Sequence, residues 1–287
     1  MLGKYYFKMI KELIKNILFN FKKNKAFFTP VFIIGCGRSG TTILGNTLAK
    51  HPQIKYLNER RDLWHRAYPE FNIWGEGVKN PRLFVGEKSI DPNKNTLLRK
   101  LLFREQILGN AKILLEKLPI NNFRLKFLHK SFPEAKYIYL TRNGLEVSHS
   151  IEKSIKNKNW FTGNKLELLQ KKIQEIQEEF DTIGQSDLHK GMWEWKLSMQ
   201  ESNQFFNQLE PTKFTHISYQ NFIEDTETSL KIIFDFLQLS YTDEFIKHSS
   251  KNIQRKNKST RTTNDKKLYK IGGEILTKTI NNTYSPF

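Results

Sequence analysis

The most constraining feature of this sequence is a glycine-rich turn set between two apolar runs of different period. Val31-Phe32-Ile33-Ile34 is continuously apolar, Gly35, Gly37 and Gly40 punctuate the next six residues, and Ile43, Leu44 and Leu48 then recur at helical spacing. The pattern reads as strand, loop and helix. A junction of that kind aims backbone N–H groups and the positive end of a helix dipole at one point, which makes it a seat for phosphate or sulfate.

The rest of the chain repeats the alternation. A second apolar strand pattern at Tyr137-Ile138-Tyr139-Leu140 follows an amphipathic stretch at 123–132 and leads through Arg142 into a helical stretch from Leu145 onward. Strands alternating with helices imply a parallel sheet. Helical patterns follow at 164–180, 191–208 and 229–239, with a short strand pattern at 214–219; Trp193 and Trp195 read as core residues of their helix. Residues 249–267 are rich in Lys, Arg, Asn, Ser and Thr and read as a surface segment. With 287 residues, we expect one doubly wound α/β domain of P-loop type at 30–265. It has a central parallel sheet flanked by helices, an amino-terminal helix at 1–29 and a carboxyl-terminal tail at 266–287.

Charge narrows the partners. Lys and Arg total 47 against 29 Asp and Glu, a formal +18, which favours nucleotides, acidic polymers or anionic lipid. No zinc-finger spacing or aromatic RNA-recognition signature accompanies the charge, so nucleic acid is not expected. The single cysteine, Cys36, rules out an internal disulfide framework and a cysteine metal cluster. Neither a secretory cleavage pattern nor an apolar run of membrane-spanning length is present, so the chain reads as cytoplasmic. Residues 4–25 place Ile10, Leu13, Ile14, Ile17, Leu18 and Phe21 at helical spacing among lysines. That basic amphipathic helix suits peripheral contact with the inner face of an anionic membrane; packing on its own domain or on a second subunit of a homodimer is the alternative.

The loop Gly35-Cys36-Gly37-Arg38-Ser39-Gly40-Thr41-Thr42 departs from the nucleotide triphosphatase pattern at one telling place. Both glycines and the final hydroxyl of G-x-x-x-x-G-K-[ST] are matched, but Thr41 stands where the phosphate-binding lysine belongs, and the cation has moved to Arg38. A P-loop kinase, the alternative enzyme, depends on that lysine and on a magnesium ion held partly by acidic groups. A non-catalytic protein binding anions or membrane through its basic face is the other alternative.

The same loop resembles the 5′-phosphosulfate loop of the sulfotransferase family, whose donor is 3′-phosphoadenosine 5′-phosphosulfate. The family's second signature, an arginine and a serine eight positions apart that grip the donor's 3′-phosphate, is matched by Arg142 and Ser150. Leu115-Glu116-Lys117-Leu118-Pro119 resembles its Lys-x-Pro segment, which implies that Lys117 stabilises charge on the leaving oxygen; Pro119 occupies the place where some members carry a catalytic histidine. Glu59, in Leu57-Asn58-Glu59-Arg60-Arg61, stands where many carbohydrate and protein sulfotransferases place a catalytic glutamate, with His65 and Glu87 in reserve. Ser218-Tyr219-Gln220-Asn221-Phe222 resembles the segment whose tyrosine contacts adenine, and Arg255-Lys256-Asn257 resembles the loop that closes over the 3′-phosphate, with Asn257 in place of its glycine.

The resemblance implies donor contacts from Gly37, Arg38, Ser39, Gly40, Thr41, Thr42, Arg142, Ser150, Tyr219, Arg255 and Lys256. It implies in-line sulfuryl transfer to an acceptor hydroxyl or amine, with Glu59 as base and Arg38 and Lys117 as electrostatic stabilisers. No metal is required in that scheme, since the donor is already activated and the protein supplies the cations. The acceptor is expected to be a glycan, a lipid-linked molecule or a small metabolite.

Overall fold

The computed structural model describes residues 10, 13–17, 19–20, 27–176, 186–251, 253, 263–281 and 284. Five strands form one all-parallel sheet: β1 (Pro30–Ile34), β2 (Ile54–Asn58), β3 (Ile113–Lys117), β4 (Lys136–Thr141) and β5 (Phe214–Ser218), in the spatial order β2-β3-β1-β4-β5. Parallel neighbours need crossovers. Helix α1 (Thr41–Leu48) joins β1 to β2; α2 (Arg61–Ala67) and α3 (Pro92–Leu108) precede β3; α4 (Leu125–Ser131) precedes β4. Helices α5 (Gly144–Lys156), α6 (Lys165–Ile176) and α7 (Asp187–Phe206) lead to β5, and α8 (Tyr219–Glu224), α9 (Thr226–Leu237), α10 (Asp243–Ser250) and α11 (Lys266–Ile280) follow it.

Strand alternation splits the core into two layers. Phe32, Ile34, Tyr137 and Tyr139 face Trp64, Trp193, Trp195 and Leu276, whereas Val31, Ile33, Ile138 and Leu140 face Leu44, Phe222, Phe234 and Ile246. Both faces of β1 and β4 are therefore covered, which explains their unbroken apolar runs. From β1 the chain builds β2 and β3 on one side and then passes back to build β4 and β5 on the other. That reversal leaves a crevice at the carboxyl end of β1, the usual ligand position in an open α/β sheet.

The structure adds elements that the pattern reading did not contain, namely β2, β3, α2, α3, α8, α10 and α11. β2 is an edge strand whose Lys55 and Tyr56 are only half-buried, so its five residues lack a continuous apolar run. The segment expected to be a tail is α11, whose Leu268, Ile271 and Leu276 are buried in the layer that holds α5 and α7, so the core continues past residue 265. Local signals move other boundaries. Ser186 caps α7 through His189 N–H, Asp225 caps α9 through Thr228 N–H, and Gln238 at φ 56° ends α9. Trp193 and Trp195 are core residues, as expected. Of the amino-terminal helix, residues 10, 13–17 and 19–20 are helical; the rest of 4–25, including Leu18 and Phe21, lies outside the described residues, as do 177–180 and most of the polar segment, with Arg255 and Lys256 in it.

Candidate functional site

The carboxyl end of β1 opens into the loop 35–40, and the loop's shape comes from two left-handed residues. Arg38 has φ 70° and Gly40 φ 96°, and Ser39 N–H turns back to Cys36 O at 3.1 Å. Gly40 is the N-cap of α1 and offers no side-chain cap, so the N–H groups of the first turn are left without an intrahelical or capping acceptor. A side chain at Gly40 would also meet the Tyr219 ring, 2.4 Å from where a Cβ would lie. Ser39 and Thr41 are buried, while Arg38 and Thr42 are exposed. Cys36 is buried behind the loop, and burial pushes its thiol well above the ordinary range, so it packs as a neutral side chain.

Three residues far apart in sequence meet over this loop. Arg38 Nε donates to Ser150 Oγ at 3.1 Å, and Arg142 Nη1 donates to Arg38 O at 2.9 Å. Arg142 follows β4 and Ser150 lies on α5, whose N-cap is Asn143; β4 is the strand paired with β1, so the two anion-binding segments are brought together by the sheet. Glu146 holds the Arg142 guanidinium at 2.8 Å from one side, and the Tyr219 ring lies 4.1 Å from its Cζ on another.

Across the cavity, strand register makes a second pair. Asn58 on β2 is paired with Lys117 on β3, and Glu59 N–H donates to Lys117 O at 2.9 Å. Lys117 Nζ then reaches Glu59 Oε1 at 2.7 Å, while Arg61 Nη2 reaches Oε2 at 2.8 Å. Burial pushes the Glu59 carboxyl up, but hydrogen bonds and charge from Lys117 and Arg61 outweigh it and hold the group below the ordinary carboxylate range. Glu59 itself stands at φ 53°, a left-handed conformation uncommon for a non-glycine residue. Arg61 Cζ lies over Trp74, 3.7 Å from the ring centroid.

Both pairs line one cavity of about 230 Å³. Arg38, Arg142 and Ser150 form one side, Glu59 and Lys117 another, and Gly40, Thr41 and Thr42 supply the helix end. Gly37 and Ser39 belong to the loop wall rather than to the lining. Tyr219 lines an adjoining cavity of about 110 Å³ that shares Arg142. The reserve bases are not brought in: His65 and Glu87 are absent from the lining. Burial, with the charges of Arg124 and Arg61 adding to it, pushes His65 down to about 4, and Glu87 is exposed.

One residue of the cavity was not singled out from the sequence. Trp160 packs on the loop so closely that a Cβ at Gly37 would lie 2.3 Å from its ring. Its Nε1 donates to Glu194 at 2.6 Å, Glu194 also takes Lys165 Nζ at 2.6 Å, and Lys165 Nζ sits 4.0 Å from the Trp160 ring centroid. The signal that could have found it is an aromatic pair, Trp160-Phe161, standing alone in a run of Lys and Asn. Behind Lys117, Glu116 is buried and accepts from Trp64 Nε1 at 3.1 Å and Asn121 Nδ2 at 2.8 Å; burial pushes its carboxyl up to about 8. Among the described residues, no group of three or more His, Cys, Asp and Glu is placed to hold a metal ion.

The arrangement can hold an anion against a helix end, neutralise a second anionic group, and present a carboxylate beside the first. Comparison with known proteins agrees with that chemistry. Residues 30–243 match the model of the sulfotransferase family. A Caenorhabditis briggsae relative named as a protein-tyrosine sulfotransferase is 22% identical over 222 residues, covering 76% of this chain and 68% of that one. Protein-tyrosine sulfotransferase 1 of Danio rerio is 28% identical over 125 residues, 42% of this chain and 34% of the fish protein. The fold is shared with a sulfotransferase domain from the curacin biosynthetic pathway, at TM-score 0.51 and 21% identity over 77% of each chain. It is shared also with a sulfotransferase domain of the Synechococcus PCC 7002 olefin synthase, at TM-score 0.51 and 16% identity over 92% and 90%.

Proposed function

The chain belongs to the sulfotransferase family and is a sulfotransferase, and from that premise we propose how its residues divide the work. The donor is 3′-phosphoadenosine 5′-phosphosulfate, with its 5′-phosphosulfate on the loop 35–40 and the first turn of α1, its 3′-phosphate on Arg142 and Ser150, and its base toward Tyr219. The carrying observation is the convergence of Arg38, Arg142, Ser150, Glu59 and Lys117 on one cavity at the end of an uncapped helix. Arg142 offers a planar fork suited to phosphate, and the helix end adds dipole and free N–H donors.

Glu59 removes the proton of the acceptor hydroxyl as that oxygen attacks sulfur. One S–O bond forms while the S–O bond to the 5′-phosphate breaks, and the electron pair of the broken bond stays on the phosphate. Lys117 and Arg38 stabilise the charge that gathers on the leaving and equatorial oxygens. Before the donor arrives Lys117 is committed to Glu59 at 2.7 Å. Its transfer toward the leaving oxygen frees the carboxylate that must accept the proton. The names of the relatives make a phenolic hydroxyl of a protein tyrosine one acceptor class; the basic chain also suits an acidic glycan.

The test is thermal stability of the purified chain with 3′-phosphoadenosine 5′-phosphate and, separately, with ATP and magnesium. A ligand at about one hundred times its dissociation constant adds roughly 2.7 kcal/mol, which at about 2 to 4 °C per kcal/mol for domains near this size is a rise of about 5 to 11 °C. Stabilisation by the bisphosphate and not by ATP supports the assignment. Stabilisation by ATP with magnesium and none by the bisphosphate overturns it.

A further inference from the structure

The described amino-terminal helical residues turn a mixed face, two polar residues and one phenylalanine, toward the domain. Asn16 Oδ1 accepts from Arg104 Nη1 at 3.1 Å, Lys15 Nζ lies 3.7 Å from Glu105 Oε1, and Phe19, 5% exposed, packs its ring edge-on against Phe103. Positions 15, 16 and 19 thus lie against α3. The opposite stripe, at the i, i+3, i+4, i+7 spacing of one helix face, is turned to solvent: Ile10, Leu13, Ile14 and Ile17 are 54%, 60%, 50% and 47% exposed, and Phe27, where the segment meets β1, is 91% exposed. A soluble helix docked on its own domain places its apolar stripe on the core, and here that stripe, apart from Phe19, is left in solvent.

We propose that this stripe is a docking surface for an anionic lipid bilayer, with the helix lying in the plane of the headgroups. Charge complementarity selects that occupant. Seven lysines and one glutamate lie in the sequence from Lys4 to Lys25, in a chain of formal charge +18, and an apolar stripe in so basic a segment gains both from burial among acyl chains and from attraction to acidic headgroups. A second copy of the chain is the poorer fit, because a two-fold contact would set the same lysine-rich segment against itself. No described helix is long and apolar enough to cross a membrane. On its inward side the helix is tied through Lys15 to Glu105, which Arg60 holds at 3.3 Å.

The experiment is co-sedimentation of the full chain with vesicles of phosphatidylcholine alone and of phosphatidylcholine mixed with phosphatidylglycerol. It is run without nucleotide, so the result stands apart from sulfuryl transfer. Wild type is expected to sediment with the mixed vesicles and not with the neutral ones, and to be released as salt is raised. The double substitution Leu13→Asn, Ile17→Asn is expected to weaken binding by at least about tenfold with an unchanged melting temperature. Phe27→Ser is a second variant at a position outside the helix and is expected to weaken binding less. Failure of wild type to sediment with mixed vesicles, or equal sedimentation of wild type and both variants, overturns the proposal. So does a dimer in size exclusion that the double substitution converts to monomer, which would assign the stripe to a second copy.

Discussion

The two sides of the cavity are built differently. The donor side rests on regular, buried structure: β1 and β4 lie at the centre of the sheet, Ser39 and Thr41 are buried, and Arg38, Arg142 and Ser150 hold one another through hydrogen bonds. The base side rests on an edge strand and the loop after it, where Glu59 takes a left-handed backbone, its side chain is 31% exposed, and its neighbour Arg61 leans on Trp74 rather than on the core. Lys117, 1% exposed, stands on the Glu59 side but is carried by the interior strand β3, so it joins a buried anchor to the exposed base. A site so divided can keep one donor geometry while the acceptor side varies, because the strands fix the first and a loop fixes the second.

The largest break in that comparison comes from Glu59→Gln. The amide keeps the shape and cannot take a proton, so kcat is expected to fall by about 10²- to 10⁴-fold, while the bisphosphate still stabilises the protein. Loss of nucleotide binding together with kcat would show the two sides to be one unit. The pH dependence has a definite sign. Glu59 is held below the ordinary carboxylate range and acts ionised, so the rate is lost as pH falls through that lowered value. Its contribution to stability is likewise present above the unfolded-state value and lost on the acid side. Arg61→Gln removes one of the two cations that hold the carboxyl down and is expected to move the acid limb of kcat upward in pH.

Lys117→Met sharpens the comparison from the buried strand beside the base. A thioether fills the buried path without the charge, and kcat is expected to fall by about 10²- to 10³-fold, the usual cost of one transition-state donor. The melting temperature with bound bisphosphate separates this from a folding defect. Arg142→Ala has a smaller effect and a different signature. A hydrogen bond to a charged group is worth about 1.5 to 3 kcal/mol, so donor affinity is expected to drop by about ten- to one-hundredfold while kcat at saturating donor changes little. A fall in kcat without a change in donor affinity would move Arg142 out of the 3′-phosphate site.

The donor side was legible in the sequence because its elements are contiguous. Strand, glycines and helix follow one another within twenty residues of residue 31, and Arg142 and Ser150 share a strand-to-helix junction. The contact between Glu59 and Lys117, 58 positions apart, was not legible, since it depends on the register of two short strands, one of them a half-buried edge strand without alternating pattern. Both residues could be named from resemblance, yet only the pairing of Asn58 with Lys117 makes them neighbours. His65 and Glu87 could not be set aside from the sequence either. Burial and two neighbouring arginines decide the first, and its position outside the cavity decides the second.

Trp160 belongs to neither motif, and its substitution is the smallest and most discriminating test. Its ring lies against Gly37, and its N–H ends on Glu194, a buried carboxylate already paired with Lys165 at 2.6 Å. Trp160→Phe keeps a smaller aromatic ring, gives up the N–H donor to Glu194 and draws back the six-membered edge that lies against Gly37, leaving Lys165 to hold Glu194. If the ring serves to shape the phosphosulfate loop, the KM for donor should rise by only about two- to fivefold, within the value of one polar contact, and kcat should stay near wild type. Trp160→Ala removes the wall itself and should raise KM further with kcat falling alongside, because a displaced Arg38 would no longer meet the transferring group. A change confined to the acceptor's KM in both variants would instead place the indole on the acceptor side, and the division drawn between the two halves of the cavity would have to shift by the width of that ring.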